Sequence, residues 1–176
     1  MRIVAGLYRG RKIDAPDSSR PTLDRVRENL FNIIGPSIRG CRVLDLFGGS
    51  GALGIESISR GATADICDRD IGAVRMIKDN LAKLGAKAEV YHSDFAKYLH
   101  NTTQTYDYIF VDPPYESDYI DEVLTIVRDR SILNSGGVIV YERSSDRDYQ
   151  LTVDGYVIKD QRKYGYCTLT FIKEDV

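Results

Sequence analysis

From Cys41 onward, short apolar runs alternate with segments whose apolar residues recur every three or four positions. "CRVLDLF", "TADICD", "KAEVYH", "YDYIFV" and "GGVIVYE" read as strands; "GALGIESISRG", "IGAVRMIKDNLAKLG", the short "FAKYLH" and "SDYIDEVLTIVRD" read as the helices between them. Near-continuous apolar strands spaced by helices predict an α/β protein with a parallel sheet covered on both faces. The alternation fails in "GYVIKDQRKYGYCTLTFI", where two extended runs meet around "KYG" with no helix between. That last pair is expected to be antiparallel, giving a mostly parallel sheet of seven strands.

Ahead of this core, "RIVAGLYRGRKIDAP" reads as two short extended pieces around a glycine-containing turn, a hairpin arm with arginines at its tip. "RPTLDRVRENLFNIIGP" predicts a helix capped by Thr22, with Leu23, Val26, Leu30 and Ile33 as its apolar stripe and Gly35-Pro36 as its stop. Arg25 and Arg27 fall off that stripe, and Arg27 and Glu28 suit an intrahelical or structural ion pair. The expected organisation is one domain over 1–176, with a basic extension over 1–40 and the core over 41–176.

Composition narrows the class. A chain of 176 residues buries roughly 70% of its unfolded surface, enough for a hydrophobic core. No apolar stretch approaches the roughly 20 residues that cross a bilayer, and "MRIVAGLYRGRK" is too short in apolar residues for a signal peptide, so a cytoplasmic protein is expected. Cys41, Cys67 and Cys167 lack CxxC spacing and read as small buried thiols; with only His92 and His100 beside them, no metal site is expected. Charge is uneven: residues 1–42 hold nine Lys or Arg against four Asp or Glu, and the remainder fifteen against twenty-two. A basic segment on an acidic body suits contact with a polyanion, whose counterions it releases. A solvated surface would show the same charges.

The first chemical motif is "LDLFGGSGALG", in which Gly49, Gly51 and Gly54 satisfy GxGxxG where a strand becomes a helix. Glycines there let a ligand approach the backbone and the N–H groups of the helix start. Asp68 ends the next strand about 20 residues on, placed to accept from ribose hydroxyls. A dinucleotide and S-adenosylmethionine both fit this loop. Asp45 suits the ammonium of the latter better than a pyrophosphate; standing alone it is a strand-end carboxylate in solvent. In "HSDF", Asp94 could take an adenine amino group and Phe95 the ring, although an N-cap and a core residue are the plainer roles.

The second motif is "DPPYE", directly behind the fourth strand. Each proline fixes its own φ and pushes the preceding residue toward an extended conformation, so the Asp112 and Pro113 carbonyls, with Pro114 behind them, form a stiff frame. An amine conjugated to a base is a poor nucleophile because its lone pair is delocalised. Two acceptors, the Asp112 carboxylate and the Pro113 oxygen, would draw on its protons as nitrogen pyramidalises. Tyr115 would stack on the extruded base, worth about 1–3 kcal/mol. A lone Asp-Pro-Pro is more often a turn; one placed after a GxGxxG and a ribose acid on the same sheet edge is read as catalytic.

Together "DLFGGSGALG", Asp68, "SDF" and "DPPY" resemble the S-adenosylmethionine-dependent methyltransferases of exocyclic amines. With "RGRKIDAP", "RPTLDRVRENLFN" and "YGYCTLTFI" the chain resembles, over essentially its whole length, the bacterial 16S ribosomal RNA guanine-N2 methyltransferase D family. The resemblance implies a Rossmann-like methyltransferase fold and methylation of guanine 966 at N2, in 16S RNA within an assembling small subunit. It implies cofactor contacts at Asp45, Phe47, Gly48, Gly49, Ser50, Gly51, Asp68, Arg69, Asp94 and Phe95, and a target base at Asp112, Pro113, Pro114 and Tyr115. RNA phosphates are expected at Arg9, Arg11, Lys12, Arg20 and Arg25. Gly49 stands where the family often has Ala, and Asp68 where Glu is frequent. The competing readings are a DNA or protein-glutamine amine methyltransferase, an NAD-binding oxidoreductase, and an RNA-binding assembly factor without catalysis.

Overall fold

The computed structural model describes residues 1–16, 21–114 and 117–176; Arg20 and Tyr115 lie outside the described residues, as do the side chains of residues 21–23. Helix α1 (Pro21–Ile34) runs into a 3-10 turn (Gly35–Ile38), then β1 (Arg42–Asp45), α2 (Ala52–Ser59), β2 (Thr63–Asp68), α3 (Ile71–Leu84) and β3 (Glu89–His92). There follow α4 (Phe95–Asn101), β4 (Tyr106–Val111), α5 (Tyr119–Asp129), β5 (Leu133–Ser144), β6 (Tyr156–Tyr164) and β7 (Cys167–Glu174). Seven strands form one sheet in the order β3-β2-β1-β4-β5-β7-β6. β3, β2, β1, β4 and β5 pair in parallel, while β7 runs antiparallel to both β5 and β6. The alternation read from the sequence is therefore the architecture.

Strand parity sorts the core into two faces. Leu44, Ile109, Val111 and Ile139 pack with Leu99 of α4 and Val123, Leu124 and Val127 of α5. Val43, Phe110, Val140 and Leu169 turn the other way, onto Val26, Leu30 and Phe31 of α1. Because β1, β2 and β3 advance in one direction and β4 steps back past β1, the strand order reverses between β1 and β4. A crevice opens at that reversal, beyond the carboxyl ends of the strands.

The arm is held by more than a hairpin. One antiparallel bridge, Arg2 to Lys12, joins its limbs. Ile3 and Ile13 are buried against Ile55, Ile66, Ile77 and Leu81. The Val4 and Ala5 N–H groups donate to Glu56 at 2.8 and 3.2 Å, and Leu7 N–H to the Ser59 carbonyl at 2.7 Å.

Two of three local expectations change. α1 begins at Pro21, where the missing N–H costs nothing, so Thr22 lies inside the first turn rather than ahead of it. Arg27 is ion-paired as expected, within its helix to Asp24 at 3.6 Å and to Glu56 of α2 at 3.9 Å; it is 5% exposed and donates to the Arg2 carbonyl. Cys67 and Cys167 are buried, but Cys41 is half-buried and donates to the Ser37 carbonyl. Among the described residues no helix is long and apolar enough to cross a membrane, and no group of His, Cys, Asp and Glu is arranged to hold a metal ion.

Candidate active site

The glycine loop follows β1 and is tied down from three sides. Gly49 adopts φ +60°, a left-handed conformation that favours glycine, and its N–H donates to Asp68 Oδ2 at 2.8 Å. A side chain at Gly54 would meet Ile66 at 2.7 Å, so α2 lies directly on β2. The Ser50 carbonyl accepts from Asn80 Nδ2 at 3.0 Å, and the same amide exchanges both backbone bonds of Asp14. Asn80 thus couples the arm to the loop. Its signal in the sequence was a polar residue one position before Leu81 on the buried face of α3.

Asp45 is buried, not solvated as a lone strand-end carboxylate would be. Its Oδ2 accepts the Gly54 N–H at 3.0 Å, within the first turn of α2. Burial pushes its carboxyl up to about 7, with the charges of Asp68 and Glu142 adding and the Gly54 N–H opposing. Asp112 follows β4 at the same edge and Glu142 lies near the end of β5. Asp112 is exposed at the rim, although its carboxyl group lies among other carboxyl groups. Desolvation and the facing charges of Glu142 and Asp45 raise its carboxyl pKa, and desolvation raises that of Glu142. Three mutually repelling carboxyl groups at one crevice prepare it for a cation.

Two clefts share this edge. One, of about 230 Å³, is lined by Asp45, Phe47, the Gly48–Ser50 backbone, Asp112 and Glu142, and is closed by Arg27 and Leu30 of α1. The other, of about 310 Å³, is lined by Asp112, Pro113, Pro114, Glu142, Arg143 and Tyr149 among others. Asp112 and Glu142 belong to both.

The remaining anticipated cofactor residues are not among those lining the first cleft. Asp68 reaches it through Gly49, and its other oxygen accepts from Asp70 N–H at 2.9 Å. Phe95 meets Phe47 at 5.4 Å between ring centroids, and both contact Tyr119 of α5. Asp94 caps α4 by accepting from Lys97 N–H at 2.9 Å. Arg69 is exposed, with its carbonyl 3.0 Å from His92 Nε2. Of the basic residues, Arg9, Lys12 and Arg25 are exposed, while Arg11 donates to the Lys83 carbonyl at the end of α3 at 2.6 Å. The sequence reading missed Glu142, Tyr119 and Tyr149. Glu142 had a signal, a charged residue ending an apolar strand at the same edge as Asp45 and Asp68; the two tyrosines had none.

The profile of the family described as Conserved hypothetical protein 95 matches residues 1–173. A provisionally named rRNA methyltransferase of Bacillus subtilis is 37% identical over 182 residues, covering 99% of both chains. Ribosomal RNA small subunit methyltransferase D of Escherichia coli is 39% identical over 146 residues, covering 81% of this chain and 74% of its own. A solved structure of a provisionally named methyltransferase from Escherichia coli superposes with a TM-score of 0.90 at 33% identity, covering 99% and 98% of the two chains.

Proposed function

The chain belongs to the Conserved hypothetical protein 95 family and is a relative of ribosomal RNA small subunit methyltransferase D, and from that premise we propose that it methylates small-subunit rRNA using S-adenosylmethionine. The finer reading is transfer to the exocyclic N2 of guanine 966 in 16S RNA, within an assembling subunit. The observation that carries it is that Asp112 lines both clefts, so a donor beside the glycine loop and a base beside the two prolines would meet at one carboxylate.

The residues of the first cleft fit the cofactor. S-adenosylmethionine, when bound, supplies an electrophilic methyl group on a sulfonium and carries an ammonium. Asp45, Asp112 and Glu142 favour such positive charge, and the same three carboxyl groups oppose a pyrophosphate, which weighs against an NAD-binding oxidoreductase. Asp45 would answer the ammonium, Phe47 to Gly51 would supply the close backbone, Asp68 with Arg69 the ribose end, and Asp94 with Phe95 the adenine.

On the acceptor side, the Asp112 carboxylate and Pro113 carbonyl accept hydrogen bonds from the two N2–H groups, and as the methyl leaves the sulfonium for nitrogen one of those protons passes to the Asp112 carboxylate. The two acceptors hold the lone pair toward the methyl as nitrogen pyramidalises, an interaction stronger in the transition state than in the flat ground state. Pro114 keeps the frame stiff, and Tyr115 is assigned the stacking role from the sequence alone. Arg9, Lys12, Arg20 and Arg25 are assigned to phosphate. Arg11 has a docking contact that competes with such a role.

The experiment is methyl transfer from labelled cofactor to small-subunit particles, naked 16S RNA, duplex DNA and protein extract, with the modified nucleotide mapped. Label is expected at guanine 966 of the RNA. Label confined to DNA or protein overturns the substrate, and a thermal shift with NAD but none with S-adenosylhomocysteine overturns the cofactor.

A further inference from the structure

The 310 Å³ cleft lies at the small end of the roughly 300–1,000 Å³ typical of ligand sites, and it holds polar groups that methyl transfer does not use. Tyr149 OH and Arg143 Nε are shut from solvent with no hydrogen-bond partner among the described residues, although both residues line the cleft. A buried donor left unpaired carries an uncompensated desolvation penalty, so two of them on residues lining one cleft point to an acceptor brought by a ligand. Neither side chain is loose. The Arg143 guanidinium lies 6.0 Å from the Tyr149 ring centroid and is anchored through its other nitrogens to the Arg147 carbonyl and Gln161 Oε1. Tyr149 packs edge-on against Tyr141 at 5.2 Å. In the same lining, Cys167 Sγ donates to Glu142 Oε1 at 3.3 Å.

We propose that this cleft reads the Watson–Crick edge of the target guanine: Asp112 and Pro113 take the N2 amine, Glu142 accepts N1–H, and Tyr149 OH, backed by Arg143, donates to O6. The inference rests on the rRNA guanine-methylation reading of the same site. Guanine presents donor, donor and acceptor along that edge; the cleft answers with acceptor, acceptor and donor. Adenine offers its amine beside an unprotonated N1 and has no carbonyl. An ionised Glu142 would then face a lone pair, and the Tyr149 hydroxyl would stay unpaired. Sites built to hydrogen-bond a substrate group reject analogues lacking it far more strongly than apolar pockets do.

The test compares kcat/KM on small-subunit RNA carrying either guanine or 2-aminopurine at the target position. The analogue keeps the amine but lacks O6 and the N1 proton. Any difference in intrinsic amine reactivity cancels when the guanine preference of a variant is divided by that of the wild type. Tyr149→Phe is expected to lower this preference about 10-fold, by slowing guanine and sparing 2-aminopurine, with the affinity for S-adenosylhomocysteine and the thermal midpoint unchanged. Glu142→Gln is expected to lower it independently by raising the relative rate on 2-aminopurine, because an amide can donate to N1. Equal losses on both substrates in both variants, or a wild type indifferent to the base, overturn the inference while leaving guanine methylation standing. A wild type that methylates no RNA overturns the functional reading and this inference with it.

Discussion

Arg27 Nε lies 3.9 Å from Glu56 Oε1, with the two side chains only 5% and 1% exposed. Glu56 also accepts the N–H groups of Val4 and Ala5 and the guanidinium of Arg60, while Arg27 donates to the Arg2 carbonyl. The pair therefore clamps the arm between α1 and α2, and Arg27 closes the first cleft. Burial lowers the Arg27 pKa while the Glu56 and Asp24 charges oppose that shift, so removing Glu56 leaves a buried cation with only the half-exposed Asp24 to answer it. Glu56→Ala is expected to cost about 3–5 kcal/mol in urea denaturation, with amide protection of the arm lost first. A loss below about 1 kcal/mol would mean that the pair behaves as a surface bridge.

Arg27 also marks where the sequence stopped being informative. The strands were legible because Val43, Leu44 and Ile109 are apolar for both faces, and the final antiparallel pair because no helix separates its runs. The positions of Asp45, Asp68 and Asp112 at one edge followed from the parallel order. What the sequence could not carry was tertiary. Arg27 leaves the apolar stripe of its own helix yet is buried, because the arm folds back across it. Glu56 reads as a surface residue of an amphipathic helix until two arm amides are brought to it. Tyr149 sits in a connection with no periodicity, and only the fold brings it into the same cleft as Glu142.

The raised Asp45 carboxyl sets a pH dependence. Its folded-state value of about 7 exceeds the ordinary 3.8, so the folded protein binds the proton more tightly than the unfolded chain. The resulting stability is fully present below the unfolded value and is lost as pH rises through about 7. The raised Asp112 and Glu142 groups act with the same sign. Between about pH 5 and pH 8 the Asp45 contribution amounts to about 3 kcal/mol. Asp45→Asn, whose amide oxygen can still accept from Gly54, should flatten the decline and be more stable than wild type at the upper end. Urea midpoints at the two pH values check this, and an unchanged slope would place the proton uptake elsewhere. Cofactor affinity should run the opposite way, tightening through the same range as the carboxylates ionise, and should weaken in Asp45→Asn.

Asp112 offers a separation of chemistry from binding. Asp112→Asn keeps the shape of the turn but replaces a charged acceptor with a neutral amide that also donates. The expected result is a fall in kcat of about 10²–10³, the scale seen when one transition-state hydrogen bond is removed. Cofactor affinity measured by calorimetry should stay within about threefold, since Asp45 and Glu142 remain in the cleft. Unchanged single-turnover rates would remove Asp112 from the reaction.

The basic arm divides into two kinds of residue. Arg11 donates to the Lys83 carbonyl in the last turn of α3, where unsatisfied carbonyls favour a cation. Arg9, Lys12 and Arg25 are exposed on the arm and α1. Each phosphate neutralised on single-stranded nucleic acid contributes roughly 0.7 to the slope of log affinity against log salt. Replacing Arg9, Lys12 and Arg25 together by alanine should therefore flatten that slope by about 2 while leaving S-adenosylhomocysteine binding intact. Arg11→Ala should lower arm protection in hydrogen exchange and leave the slope nearly unchanged. Filter binding of target RNA across a salt series, run on both variants, separates the two roles; an equal flattening from Arg11→Ala alone would return that residue to the phosphate-contacting set.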